Sequence, residues 1–396
     1  MSRAKGDFQK KENNEKNEFR QKLVRHRLTI FYRIVLVVLA IVAISFGLYY
    51  NYQNMVYTSY EVLKRVEFEE TTTASYMNYN GNILKFSQDG ATAFTMDNEM
   101  LWNETYEMQS PMVDVSGEYV ALGDYKGTMI YVMNTSGKCG EIDTMLSVQK
   151  FCISASGMVA AILEDGGTTW VRVYNSSGET VADIKTTMAI SGYPFNIALS
   201  DDGIKLAISY LFIDSGKLTT TVGFYNFGSV GQNEIDNFVS GFSYSDTVVP
   251  YVDFVNKATA IAVGDDRFVI YNGNQKPDSK FEQPLTEEVE SVFHGDKYTG
   301  LVFMEGSSET KYRIDVYNEA GNLVFSRKFD MEYTDIVLHG ELVIIYNSSE
   351  CSIYNIRGTE KFEGTFDKSV LTLIPTDSMT RFILISGNRA EEIRLK

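Results

Sequence analysis

The sequence predicts an all-β chain: an eight-bladed β-propeller, with seven blades the close alternative, preceded by a single transmembrane α-helix. Three observations predict it. An uncharged apolar run occupies residues 34–50. A strand ending in an Asn-containing turn recurs along the rest of the chain. Between those turns the apolar residues alternate or form short runs, without the spacing of an amphipathic helix.

The apolar run comes first. Joined to residues 28–32, it makes a helix over residues 28–50 of about 34 Å, enough to cross a bilayer. Arg33 interrupts it near the start, where a long stem returns the guanidinium to the interface. Tyr49, Tyr50 and Tyr52 stand at the far end, where amphipathic rings prefer headgroup depth. Residues 1–33 hold ten Lys/Arg and four Asp/Glu, whereas residues 51–70 hold only Lys64 and Arg65 as basic groups. The positive-inside rule then places the N-terminus in the cytosol and the C-terminal domain outside the cell membrane. A cleaved signal peptide is the rival reading, but Ser45-Phe46-Gly47 is followed by bulky residues and makes a poor cleavage site. No Cys lies in or just after the run, which argues against lipoprotein processing. Residues 1–27 are rich in Lys, Glu and Asn and read as a disordered basic tail. Residues 51–60 read as a juxtamembrane linker and 61–396 as the propeller.

Charge narrows the function classes. The whole chain is −16 at pH 7, and the basic N-terminal segment leaves about −22 on the remainder. Such a surface does not suit nucleic acid. Cys139, Cys152 and Cys351 are too few for a disulfide framework and read as buried small hydrophobes.

The repeat decides the fold. Well-formed copies are Val173-Tyr174-Asn175-Ser176-Ser177-Gly178, Val316-Tyr317-Asn318-Glu319-Ala320-Gly321 and Ile353-Tyr354-Asn355-Ile356-Arg357-Gly358. Related turns follow Met133-Asn134, Tyr225-Asn226 and Tyr271-Asn272, and a worn copy covers residues 85–90. The six Asn positions recur every 37–51 residues, the length of a four-stranded blade. Asn hydrogen-bonds its own backbone and Gly supplies positive φ, so each motif is a hairpin. The aromatic before Asn is expected to pack between blades rather than to stack a ligand.

A second hairpin precedes each turn, with strands over residues 119–122, 159–163, 205–209, 258–263, 300–304, 342–346 and 381–385. An eighth hairpin is expected at 75–86. The C-terminus supplies only three strands, near 370–374, 382–386 and 392–395. Residues 61–68 are expected to provide the fourth, closing the ring and leaving no free sheet edge.

With its Ser-x-Asp-Gly-type and Tyr-Asn-x-x-Gly turns, the chain resembles the WD-repeat and quinoprotein-like propellers over residues 60–396. The whole arrangement resembles a family of unknown function, membrane-anchored propeller ectodomains of Gram-positive bacteria. It departs from the WD pattern in lacking a Trp-Asp dipeptide. Only Trp102 and Trp170 are present, so the docking tryptophans of quinoproteins are missing.

No Gly-x-Ser-x-Gly elbow, complete Walker loop or Asp-x-Asp-x-Asp-Gly calcium loop occurs; Ser136-Gly-Lys138 lacks the first glycine spacing. His294 and His339 sit in similar stretches, Phe293-His-Gly-Asp296 and Leu338-His-Gly-Glu341, and read as turn residues. Asp201-Asp202 and Asp265-Asp266 read the same way. No catalytic, cofactor-binding or metal residue is assigned, and the protein is not expected to be an enzyme. The expected role is a binding or scaffold module for an envelope protein or glycan. A transmembrane sensor and a wall-acting enzyme are the alternatives.

Overall fold

A computed structural model describes residues 2–68, 74–186, 191–306 and 310–396, with the side chains of 2–24, 52 and 53 left out. The chain divides into two units, Met1–Val56 and Tyr57–Lys396.

The first unit is one helix, Ser2–Gln53. Within it Arg25–Asn51 is long and apolar enough to cross a membrane, and the side chains of that stretch are exposed. The helix also runs back through the basic segment, where the composition suggests disorder. Lys, Glu, Gln and Arg are good helix formers, and extending a helix already nucleated by the apolar run avoids the cost of a new nucleus.

The second unit is an eight-bladed propeller of eight four-stranded antiparallel sheets. Blades 1 to 7 span residues 75–105, 111–143, 147–186, 193–245, 251–284, 289–329 and 335–365. Blade 8 combines Thr372–Pro375, Arg381–Ser386 and Arg389–Leu395 with Tyr60–Glu67 as its outer strand. The expected closure is therefore present: Tyr60 lies opposite Leu395 and Glu67 opposite Arg389. The Thr58 N–H donates to the Lys396 carbonyl at 3.1 Å, and the Lys396 N–H donates to Ser59 at 2.8 Å. The eighth hairpin is found as Ser75–Tyr79 and Asn82–Phe86.

Eight buried apolar clusters lie one between each pair of neighbouring blades. The repeat explains them. Tyr174, Tyr225, Tyr271, Tyr317 and Tyr354 are all buried in these clusters, as inter-blade packing requires. The Tyr317 ring packs on Phe268 of blade 5 and Tyr354 on Phe325 of blade 6. The Asn that follows holds the turn: Asn318 Oδ1 accepts the N–H groups of Ala320 and Asn322, each at 3.0 Å. Gly321 has φ +80°, and a Cβ there would collide with the Phe281 ring. Asn175 and Asn355 make the same pair of bonds. The three thiols are free; Cys351 is buried, and Cys139 and Cys152 are only partly so.

The first strands of most neighbouring blades touch one another, so they line the central channel. Strand alternation then sorts the turns into two faces. First-to-second and third-to-fourth turns share one face; second-to-third turns and the links between blades share the other. The Tyr57 N–H donates to Lys361, at a third-to-fourth turn, so the chain enters on the first face.

Phe382 is fully buried between blades 7 and 8. Phe382→Ala is expected to lower unfolding free energy by about 3–5 kcal/mol in urea titration. Val181→Ala, at an exposed position, is expected to change it by under about 0.5 kcal/mol.

Candidate functional site

The channel is built by register. Counting along the second strands, one level of the channel carries Ser75, Met112, Lys150, Asn196, Tyr251, Ser291, Asp335 and Thr372, one from each blade. A bulge precedes Lys150, Asn196 and Ser291 at the same position in blades 3, 4 and 6. Bulges re-aim side chains. Here they bring Lys150 and Asn196 together across two blades: Lys150 Nζ donates to Asn196 Oδ1 at 2.7 Å. Asn196 Nδ2 in turn donates to the Pro250 carbonyl at 2.9 Å.

Two residues further along each first strand, Asp114 and Asp253 occupy matching positions opposite Ala121 and Ile261. They come from blades 2 and 5, well separated around the ring. Asp114 Oδ2 accepts the Ile153 N–H of blade 3 at 2.7 Å. Asp253 Oδ1 accepts the Phe254 N–H at 2.7 Å. Asp253 Oδ2 accepts both the Tyr251 hydroxyl and His294 Nε2, each at 3.1 Å.

These groups line a cavity of about 970 Å³ that opens on the chain-entry face, with Asp201 and Asp296 at its rim. The volume lies at the upper end of ordinary ligand pockets. Four carboxylates face one lysine, and Lys150 makes no ion pair among the described residues. The site is therefore polar and net negative.

The electrostatics follow from enclosure. Burial pushes Asp114 up from 3.8 to about 6, and the Asp253 charge adds to it; the Ile153 N–H opposes both. Asp201 is raised by burial and then by Asp296. Burial pulls His294 down, but the Asp253 hydrogen bond and charge outweigh it and the net shift is upward. Burial pushes the Cys152 thiol well up, so it is not a thiolate nucleophile near neutral pH. Among the described residues no His, Cys, Asp and Glu cluster is arranged to hold a metal ion.

The structure separates the two histidines that look alike in sequence. His294 pairs with Thr299 across a four-residue turn and lines the channel. His339 pairs with Leu342 across only two residues, which shifts its register and leaves it outside the cavity. Asp202, Asp265 and Asp266 do serve turns: Asp202 accepts the Ser200 hydroxyl, Asp265 the Val248 N–H, and Asp266 pairs with Arg267. Asp201 does more than hold its turn, since it is part of the rim. Asp114, Lys150, Asn196 and Asp253 are functional candidates that reading the sequence missed. The available signal was a carboxylate between two apolar residues, Val113-Asp114-Val115 and Val252-Asp253-Phe254, at one matched place in two repeats.

Residues 53–395 match the model of a family of unknown function, DUF5711, and the chain belongs to that family. No curated protein sequence matches it. Among solved structures, the fold is similar to Sqt1 from Chaetomium thermophilum, with 12% identity, a TM-score of 0.52, and 87% of this chain and 99% of that chain covered. It is similar to AztD from Citrobacter koseri, with 11% identity, a TM-score of 0.50, and 75% and 87% covered. BamB from Moraxella catarrhalis aligns over 85% of this chain and all of its own, with 13% identity and a TM-score of 0.47. Likeness at these identities concerns the fold alone.

Two outcomes test the electrostatics. By NMR the His294 imidazole should titrate above 6.5, and Asp253→Asn should lower that midpoint; a midpoint unmoved by the change would contradict the assigned pair. Asp114 has a folded value above its unfolded one, so its charge costs stability as pH rises from 3.8 to about 6, and the full cost is present above that. Asp114→Asn keeps an acceptor for the Ile153 N–H. It should raise unfolding free energy by about 1–3 kcal/mol at about pH 7.5, with the gain shrinking as pH falls towards about 4.

Proposed function

We propose that this DUF5711 protein is a single-pass membrane-anchored binding module. Its helix spans the cell membrane with the N-terminus in the cytosol. Its extracytoplasmic propeller holds an envelope protein or glycan partner. The basic excess before the apolar helix supports that orientation.

One observation carries the binding reading: charged and amide residues from blades 1, 2, 3, 4, 5 and 6 converge on a single cavity. Acceptor-rich walls with one ammonium and one imidazole suit a ligand bearing hydroxyl or amine groups. A glycan with free amines fits that lining best. We propose binding without turnover. Asp114 and Asp253 are each engaged with backbone N–H groups, and Asp253 also takes two side-chain donors.

The test pairs topology with binding. A phosphatase that is active only outside the cytosol, fused after Lys396, should be active, and the same enzyme fused at the N-terminus should be silent. Full-length protein in nanodiscs should bind soluble amine-bearing wall glycans by calorimetry. Asp253→Asn and Asp114→Asn should each weaken that binding by about tenfold, roughly one lost polar contact. Glycan binding indifferent to both substitutions would remove the channel from the reading.

A further inference from the structure

A second cavity, of about 490 Å³, lies on the face opposite chain entry. It runs between blades 5 and 6, framed by the links 246–250 and 285–288 and by the turn at Gly264 and Asp265. Its floor is apolar: Val248, Val263, Leu285, Val289 and Val292. Pro250 and the Tyr251 ring wall the inner end. Val263 and Leu285 are buried beneath it, while Pro250 is exposed.

The rim carries the opposite character. Asp265, Glu287 and Glu288 are all exposed there. Asp265 is held in place by the Val248 N–H, which donates to its carboxylate at 3.1 Å. Glu287 pairs with Arg313, but that guanidinium also serves Glu305 at 2.7 Å and Asp315 at 3.1 Å. Lys328 also pairs with Glu305, so two cations serve three carboxylates and the rim stays negative. Glu288 has no ion-pair partner among the described residues.

We propose that this groove docks an extended segment of a protein partner in which a bulky apolar side chain is flanked by Lys or Arg. The floor gains from burying an apolar side chain, and the rim gains from cations on either side of it. Charge complementarity selects this occupant over the alternatives. An anionic lipid surface is repelled by the rim, and an acidic segment meets like charge at three points. A small polar ligand leaves five apolar side chains in water. The groove lies away from the channel mouth, and its assignment does not depend on what the channel binds.

The experiment uses the full chain in nanodiscs, with empty nanodiscs as the blank, against displayed random peptides. Enriched peptides should share an apolar residue with Lys or Arg beside it. A synthetic peptide carrying the enriched sequence should lose at least about tenfold in affinity to Glu288→Lys, a surface change. It should lose more to Val289→Trp, which fills the groove; thermal melts report whether either variant is unfolded. Asp114→Asn in the channel should leave peptide affinity unchanged. Absence of enrichment over the blank, enrichment of acidic sequences, or peptides that bind Glu288→Lys as well as the parent would each overturn the assignment.

Discussion

Everything in the propeller depends on one antiparallel pairing: Tyr60–Glu67 against Arg389–Leu395. It joins residues 333 positions apart, as in Glu61 and Arg394. Closing a loop of that length costs about 5 kcal/mol in chain entropy. The ion pairs along the seam do not meet that cost. Arg65 with Glu391 and Arg394 with Glu61 are partly exposed to solvent, where screening leaves such pairs little net stabilisation. Burial does. The cluster between blades 8 and 1 buries Ile83, Phe94, Ile374, Ile383, Ile385 and Ala390, and each large apolar side chain contributes about 1.5–3 kcal/mol. It is the smallest of the eight inter-blade clusters, yet its apolar gain still exceeds the entropy of closure.

Closure also creates the channel chemistry. A ring turns the outer edge of each sheet to solvent and the inner edge to the central channel. Backbone N–H groups on those inner edges need acceptors. Asp114 serves Ile153, Asn196 serves Ile197, Asp253 serves Phe254 and Asp335 serves Ile336. Acidic and amide residues in this channel are thus required by the fold before any ligand is considered. Charge beyond that requirement marks the site. Capping Ile153 needs only an acceptor, and an amide would do. The carboxylate at Asp114 stays there although burial disfavours it.

The fold was legible because its signals are local. Each Tyr-Asn-x-x-Gly turn is complete within six residues, and the three C-terminal strands announce a missing fourth. The site was not legible because its members stand about forty residues apart, one per repeat, and only register places them together. Bulges at Gln149, Phe195 and Glu290 decide which side chains reach the channel, and nothing in the flanking sequence marks them. The histidines show the same limit. Two similar tetrapeptides, sharing His-Gly, fold into turns of different length, and only one delivers its imidazole to Asp253. The strand Lys205–Asp214 also runs past the expected 205–209 segment, its residues 210–214 pairing with 217–221.

Tyr251 connects the two cavities. Its hydroxyl donates to Asp253 in the channel, while its ring closes the inner end of the groove on the other face. Burial raises the phenol far above its ordinary value, so it remains a donor at any pH the cell presents. Asp253 therefore receives two side-chain donors, from Tyr251 and His294, where Asp114 receives only backbone N–H groups. The negative charge on the blade 5 side is the better satisfied of the two. Of these two carboxylates, Asp114 on the blade 2 side is the less compensated and has more to gain from a cation entering the channel. The asymmetry is set by a residue whose other surface belongs to a second cavity, so the two faces of the disc share one wall.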